Sequence, residues 1–347
     1  MTGKALRLGT RRSPMALAQS GDVARLITER TGREIELVGV TTHGDVSQAQ
    51  LTQIGGTGVF VSALRESLLS GEVDFAVHSL KDLPTGAAAG ITLAAIPPRD
   101  DPRDALVGRD GAKLADLPPG ARIGTGSPRR AEQLQLLRSD ITCVPIRGNA
   151  NTRLRKVRDG ELDAVVLAYA GLARIGHTDL VTEIFEPEDI VPAPGQGALA
   201  VECRAADAEL AGLLAAVDHA ATRCAVTAER TLLAALEAGC SAPVGAHATG
   251  TDRLRLQGVA LGLVRGDDSP EPPGARPIAS DRIGRVLTPG VDETTGSADA
   301  SRVVVRESAE ADAAEAEGLG RDLAARMLAR GAARLIGVPD RREMQQG

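Results

Sequence analysis

Arginine pairs and their settings carry the first chemical signal in this chain. Arg11 and Arg12 precede Ser13-Pro14, and Arg129 and Arg130 follow Ser127-Pro128. Each pair sits where a strand-like run meets a Ser-Pro helix start, so backbone N–H groups and guanidiniums converge on one point. A cation in the first turn of a helix opposes the macrodipole. Two arginines there need a compensating anion, and a ligand carboxylate or phosphate would supply one. Arg147-Gly-Asn149 follows an apolar run at 141–146, and Thr152-Arg-Leu-Arg155 starts the next helical pattern. Strand ends and helix starts are where α/β domains bind ligands. Arg153 and Arg147 therefore join the anion-binding set, while Arg138 and Arg158 suit surface ion pairs. Arginine forms planar, bidentate pairs with carboxylates, so several of them suit a ligand with several carboxylates.

Two other residues could do covalent or electrostatic chemistry. Asp82, in His78-Ser-Leu-Lys-Asp-Leu-Pro84, falls just past the apolar run 75–77. There it could steady a developing cation or accept an N–H bond, or it could simply close a loop. Lys81 beside it supplies a cation. Cys240 stands in Glu237-Ala-Gly-Cys-Ser-Ala-Pro-Val-Gly245, after a helical pattern from about Ala221 to Glu237 with Gly239 read as its C′ residue. A helix C-terminus disfavours a thiolate, and no histidine is adjacent, so turnover nucleophile is a poor reading. An attachment point and a core thiol both remain open. Cys143, Cys203 and Cys224 sit in apolar contexts and read as core. The four cysteines show no C-x-x-C spacing, so metal-site and disulfide readings are weak.

These residues need a scaffold, and the chain repeats one. Leu6 to Pro14 resembles Ala121 to Pro128, each a strand, a Gly-Thr turn, a serine N-cap and a first-turn proline. Helices are expected over roughly 14–30 and 128–138. Gly71 to Val77 resembles Gly160 to Val166, each a turn feeding a buried strand. The same elements in the same order predict two α/β domains of like topology. The first carries extra loop at 42–58, ending in Gly55-Gly-Thr-Gly58, a segment open to a lid or a plain turn. A third region begins near Asp218, with strands at 254–264 and 302–305 and a final helix from about Ala309 to Arg330. Residues 266–300, rich in Pro, Gly, Asp and Ser, read as a loosely ordered insertion.

Composition limits the function classes. The 347 residues suffice for two or three domains, and 43% apolar residues indicate a globular chain. Aromatics are 1%, so the cores must be aliphatic and base-stacking platforms are disfavoured. The net charge of −6 speaks against general nucleic-acid or membrane binding. Between Arg122 and Arg158, nine Lys or Arg face only Glu132 and Asp140, a local +7 on a remainder of −13. A basic patch on an acidic protein reads as a site for a small anion. The N-terminus lacks an apolar signal core and no run is long enough to span a bilayer, so a cytoplasmic, reduced protein is expected. Charge and the lack of an evident apolar stripe favour a monomer.

Seven separated motifs, in order along about 1–265, resemble the porphobilinogen deaminase (hydroxymethylbilane synthase) family: Arg11 to Pro14, His78 to Pro84, Gly124 to Arg130, Arg147 to Asn149, Thr152 to Leu154, Pro194-Gly-Gln-Gly197 and Gly239-Cys240. The resemblance implies two domains of the type II periplasmic-binding-protein fold around a cleft, plus a smaller α+β C-terminal domain. It places domain 1 at 1–99 and 200–217, domain 2 at 100–199 and domain 3 at 218–347. It implies a dipyrromethane cofactor held by a thioether to Cys240, onto which four porphobilinogens condense head to tail with loss of ammonia. Water then releases hydroxymethylbilane. Asp82 would bond pyrrole N–H groups and stabilise the azafulvene cation. Arg11, Arg129, Arg130, Arg147 and Arg153 would bind acetate and propionate groups, with Ser13, Gln19, Ser79, Lys81, Thr125, Ser127 and Gln196 at further binding positions. Many family members have Lys where this chain has Thr57, so a lid–carboxylate ion pair does not carry over. A ligand-binding protein of the same fold is the main rival, but it would need neither Cys240, Asp82 nor a third domain. A cysteine hydrolase lacks its histidine.

Overall fold

The computed structural model describes residues 4–40, 58–239, 242–265 and 300–336. The expected lid except Gly58, Cys240 and the expected insertion except Ala300 lie outside the described residues. The chain opens with β1 (Leu6–Arg11), α1 (Pro14–Thr31), β2 (Ile35–Val40), α2 (Gly58–Leu69), β3 (Phe75–Ser79) and β4 (Ile91–Ala95). It continues through β5 (Asp104–Gly108), β6 (Arg122–Thr125), α3 (Pro128–Leu137), β7 (Thr142–Pro145), α4 (Ala150–Arg158), β8 (Ala164–Ala168), α5 (Tyr169–Arg174) and β9 (Glu183–Ile184). Then follow β10 (Leu199–Arg204), α6 (Ala208–Leu214), α7 (Ala220–Ala235), β11 (Val244–Thr249), β12 (Arg253–Arg265), β13 (Ala300–Asp312), α8 (Ala316–Ala329) and α9 (Ala332–Leu335).

Three sheets result, ordered β2-β1-β3-β10-β4, β7-β6-β8-β5-β9 and β11-β12-β13. The first two share one plan. In each, the first strand pairs in parallel with the second and third (β1 with β2 and β3, β6 with β7 and β8). In each, the fourth place goes to a strand that arrives after the chain has crossed from the other sheet: β10 in the first, β5 in the second. The two sheets of like plan match the internal repeat, and this exchange of strands is the type II arrangement that the resemblance implies. The third sheet is an antiparallel meander.

Local chemistry explains why the repeats fold alike. Ser13 caps α1 by accepting from the Ala16 N–H, and Ser127 caps α3 by accepting from the Arg130 N–H, with proline next in each case. Gly71 and Gly160 take φ of 78° and 77° before β3 and β8, a conformation costly for other residues. β3 and β8 are each buried over their first four residues, as central strands covered on both faces must be. The first core gathers Leu8, Val23, Ile27, Phe75, Val77 and Val201; the second gathers Leu106, Ile123, Leu134, Val166 and Ile190. Both are essentially aliphatic.

By contact density the described chain divides into two compact units. The first comprises Met1–Arg103, Ala168–Val181 and Gly195–Val226; the second comprises Asp104–Leu167, Thr182–Pro194 and Thr227–Gly347. The third sheet thus belongs to the second unit.

Two local expectations are corrected. The last long helix starts at Ala316, not Ala309, because Ser308 to Asp312 extend β13 and pair with Gln257 to Arg253. Interstrand hydrogen bonding overrides the helix propensity of an Ala/Glu-rich run. The residue that reverses the chain after α7 is Glu237, with φ 54°, rather than Gly239. The Ala238 N–H returns to the Leu233 carbonyl at 3.3 Å, the six-to-one bond of a Schellman ending.

Candidate active site

In the first unit the singled-out residues gather at one sheet edge. β1 and β3 are parallel neighbours, so Arg11 and Ser13 leave the same edge as Ser79, Lys81 and Asp82. Residues 80–82 form one 3₁₀ turn in which Leu80 is buried and Asp82 is exposed. That turn anchors on the Gly-Gln-Gly segment: the Leu80 N–H donates to the Ala198 carbonyl at 3.0 Å, and Lys81 Nζ lies 3.4 Å from Gln196 Oε1. Gln196 is fully buried; its Nε2 donates to the Pro102 carbonyl at 2.6 Å and its own carbonyl accepts from Arg99 Nε at 2.7 Å. Gln19 is buried on α1. Arg174 was not singled out in the sequence. Its Nη2 donates to the Gly197 carbonyl at 2.8 Å and lies 2.6 Å from Asp100 Oδ2, tying the outgoing and returning segments together.

A buried charge network backs β3. Arg65 grips Glu202 of β10 through Nε at 3.0 Å and Nη2 at 2.6 Å, and His78 Nε2 lies 3.2 Å from Glu202 Oε2. Burial alone would raise the Glu202 carboxyl; the His78 and Arg65 contacts overcome it and hold the group at about 2.

In the second unit, β6 and β7 are parallel neighbours, so Thr125 and Ser127 share an edge with Arg147. The Ser127 N–H donates to Thr125 Oγ1 at 3.2 Å. Arg147 is exposed. Asn149 caps α4 by accepting from the Thr152 N–H at 2.9 Å, and half-buried Arg153 donates from Nε to the Gly148 carbonyl at 2.8 Å. Arg129 and Arg130 are buried and meet an internal carboxylate. Arg129 Nη1 lies 2.8 Å from Asp104 Oδ2, and Arg130 donates to Asp104 Oδ1 from Nε at 3.0 Å and Nη2 at 2.7 Å. Asp104, at the start of β5, thus supplies from within the fold a compensating anion that the sequence reading assigned to a ligand alone, a correction to that reading. These three side chains still sum to +1. Arg129 Nε is buried without a hydrogen-bond partner, and burial pulls this guanidinium below its usual value despite Asp104. A second anion at this point would relieve both deficits.

Much of the basic run from Arg122 to Arg158 is answered nearby. Arg138 pairs with Asp140 and Arg158 with Asp159, the surface pairs expected of them, and Lys156 pairs with Glu161. Arg147, at the β6–β7 edge, and the Asp104 cluster are part of the excess that remains. Among the described residues no helix is long and apolar enough to cross a membrane.

Comparison with known proteins agrees with the motif reading. Residues 6–212 match the family model described as porphobilinogen deaminase, dipyromethane cofactor binding domain, and residues 223–265 match that of its C-terminal domain. The chain is 54% identical over 341 residues to porphobilinogen deaminase 1 of Streptomyces coelicolor, covering 97% of this chain and 99% of that one. It is 65% identical over 260 residues to the porphobilinogen deaminase of Thermobifida fusca, covering 74% and 81%. Among solved structures it is similar to a periplasmic substrate-binding protein of an ABC transporter from Coxiella burnetii, at 16% identity, TM-score 0.39, 61% of this chain and 91% of that one. With a family model spanning more than half its length and a 54% identical relative covered to 99%, the chain belongs to the porphobilinogen deaminase family.

Proposed function

We propose that this protein is a hydroxymethylbilane synthase, a transferase that joins four porphobilinogens head to tail with loss of ammonia and releases hydroxymethylbilane by hydrolysis. Cys240 holds a dipyrromethane through a thioether. When bound, that group supplies the free pyrrole carbon to which a new ring is joined. Its carboxylates suit the second unit, where one buried carboxylate faces two buried guanidiniums and Arg129 Nε lacks an acceptor. That local positive excess is the observation that carries the reading.

The chain's own residues divide the work. Arg11, Arg129, Arg130, Arg147 and Arg153 hold acetate and propionate groups, assisted by Ser13, Gln19, Thr125 and Ser127. Asp82, exposed at the end of the β3 turn, accepts pyrrole N–H bonds and balances the positive charge that develops on porphobilinogen as ammonia departs. Ser79, Lys81 and Gln196 are further cofactor- and substrate-binding positions, with the Lys81–Gln196 contact bracing the turn. We assign the work to three domains, 1–99 with 200–217, 100–199 and 218–347, in a cytoplasmic monomer that binds no nucleic acid.

Intact-mass measurement tests the central claim. The purified protein should exceed its polypeptide mass by two linked porphobilinogen units, and Cys240→Ser should lose that excess. An active protein of bare polypeptide mass overturns it.

A further inference from the structure

α3 carries a buried residue that the reaction has not yet been asked to use. Gln133 is 1% exposed and lies one turn after Arg129. Its Oε1 accepts from the Val191 N–H at 2.8 Å, and its Nε2 donates to the Val191 carbonyl at 3.2 Å and to the Arg129 carbonyl at 3.2 Å. One N–H and two carbonyls allow only this orientation of the amide. The side chain therefore pairs with both polar groups of one residue, as a neighbouring strand would.

Val191 is a junction. Its carbonyl also accepts from Arg129 Nη1 at 2.6 Å, the nitrogen that faces Asp104. Its side chain packs with Val259 and Leu261 of β12 and Leu136 of α3. The next carbonyl, Pro192, accepts from the Ala246 N–H of β11 at 2.9 Å. A Cβ on Gly245 would stand 2.8 Å from the Val191 oxygen, so only glycine permits this approach. Arg129, Gln133 and Leu136 lie at i, i+4 and i+7, one face of the helix. Arg302 of β13 reinforces that seam through Glu132 and Gln135, each at 2.6 Å. β11 begins four residues after Cys240.

We propose that Gln133 is a positioning residue: by fixing the Val191 peptide it sets the Arg129 guanidinium and the strand that follows Cys240 in one rigid frame. It touches no substrate and acts through Arg129 and β11. The inference rests on the reading of Arg129 as a carboxylate-binding group and of Cys240 as the attachment point. Physically, a buried amide with three partners cannot be replaced by an apolar chain without leaving the Val191 N–H and two carbonyls short of a bond.

The test compares full-length wild type, Gln133→Met and a control, Leu137→Ala, which thins the same helix on its other core. In Gln133→Met, amide exchange at Val191 and Ala246 should quicken at least tenfold. Ala248, held by Glu229 Oε1 at 2.8 Å, should exchange as before. The KM for porphobilinogen should rise about fivefold with kcat within twofold, and Gln133→Met should add little to an Arg129→Lys background. Leu137→Ala should lower stability without either change. If Gln133→Met does not fold, Gln133→Glu, which keeps the acceptor for the Val191 N–H but loses both donations to the Val191 and Arg129 carbonyls, is read on Ala246 exchange and KM alone. Unchanged exchange at Ala246, equal exchange changes in both variants, or multiplicative KM effects with Arg129→Lys would overturn the proposal. A wild-type protein that lacks the covalent mass or does not consume porphobilinogen sinks the functional reading instead, and exchange at Ala246 still judges the frame.

Discussion

Arg130 grips one oxygen of Asp104 with two nitrogens, Nε at 3.0 Å and Nη2 at 2.7 Å, while Arg129 stands 2.8 Å from the other oxygen. Asp104 is wholly buried. Burial alone would push its carboxyl up, but the two guanidiniums hold it well below the ordinary range. Asp104→Asn should therefore remove the carboxylate that answers two buried guanidiniums and cost about 3 to 5 kcal/mol. Urea unfolding measures this; a loss under about 1 kcal/mol would show that the cluster is solvated or re-paired.

Glu202 gives a pH dependence of known sign. Its folded carboxyl is held at about 2, below the ordinary 4.5. A depressed carboxyl stabilises the fold above its unfolded pKa, and that stability fades as pH falls from about 5 toward 2. The contribution is on the order of 3 kcal/mol. Asp104 titrates in the same direction, so the informative comparison is with Glu202→Gln. That variant should be less stable at neutral pH and should show a flatter decline from pH 5 to 3; parallel curves would remove Glu202 from the account.

What was legible in the sequence was local. Ser13 and Ser127 with their prolines announced two helix starts, because a cap satisfies N–H groups only three residues away. Turn glycines announced β3 and β8 in the same way. The partner of Arg130 was not legible, since Asp104 lies 26 residues earlier in an acidic run with no periodicity. Gln133 was not singled out in the sequence, because its partner Val191 lies 58 residues on. The stretch Ala309 to Asp312 was misread as helix because its pairing with β12 is fixed by the ladder and not by its own propensity. Anion chemistry was thus readable from arginines at element junctions, while its internal compensation needed the fold.

Arg147 offers a test of the carboxylate-binding set with little risk to stability, because it is exposed at the β6–β7 edge. Arg147→Gln should weaken porphobilinogen binding by about 1 to 2 kcal/mol, a rise in KM of roughly 5- to 30-fold. Raising salt should increase KM in wild type, since exposed ion pairs are screened over about 10 Å at 0.1 M. The variant should show a shallower salt dependence. Equal salt slopes in steady-state assays would mean that Arg147 does not meet a substrate charge.

Asp82 separates chemistry from folding most cleanly. It ends a 3₁₀ turn whose anchors are Leu80, buried and bonded to the Ala198 carbonyl, and Lys81, beside Gln196. Its own side chain is exposed, so the turn does not rest on it. Asp82→Asn should change unfolding free energy by no more than about 0.5 kcal/mol. The amide keeps an acceptor oxygen for a pyrrole N–H but removes the negative charge that balances a developing cation. Binding should then persist while kcat falls by about 100- to 1000-fold, the scale of losing one electrostatic contact made in the transition state. Asp82→Ala removes both roles and should raise KM as well. If Asp82→Asn kept wild-type kcat, charge would be irrelevant at this position and Asp82 would be a hydrogen-bonding residue only.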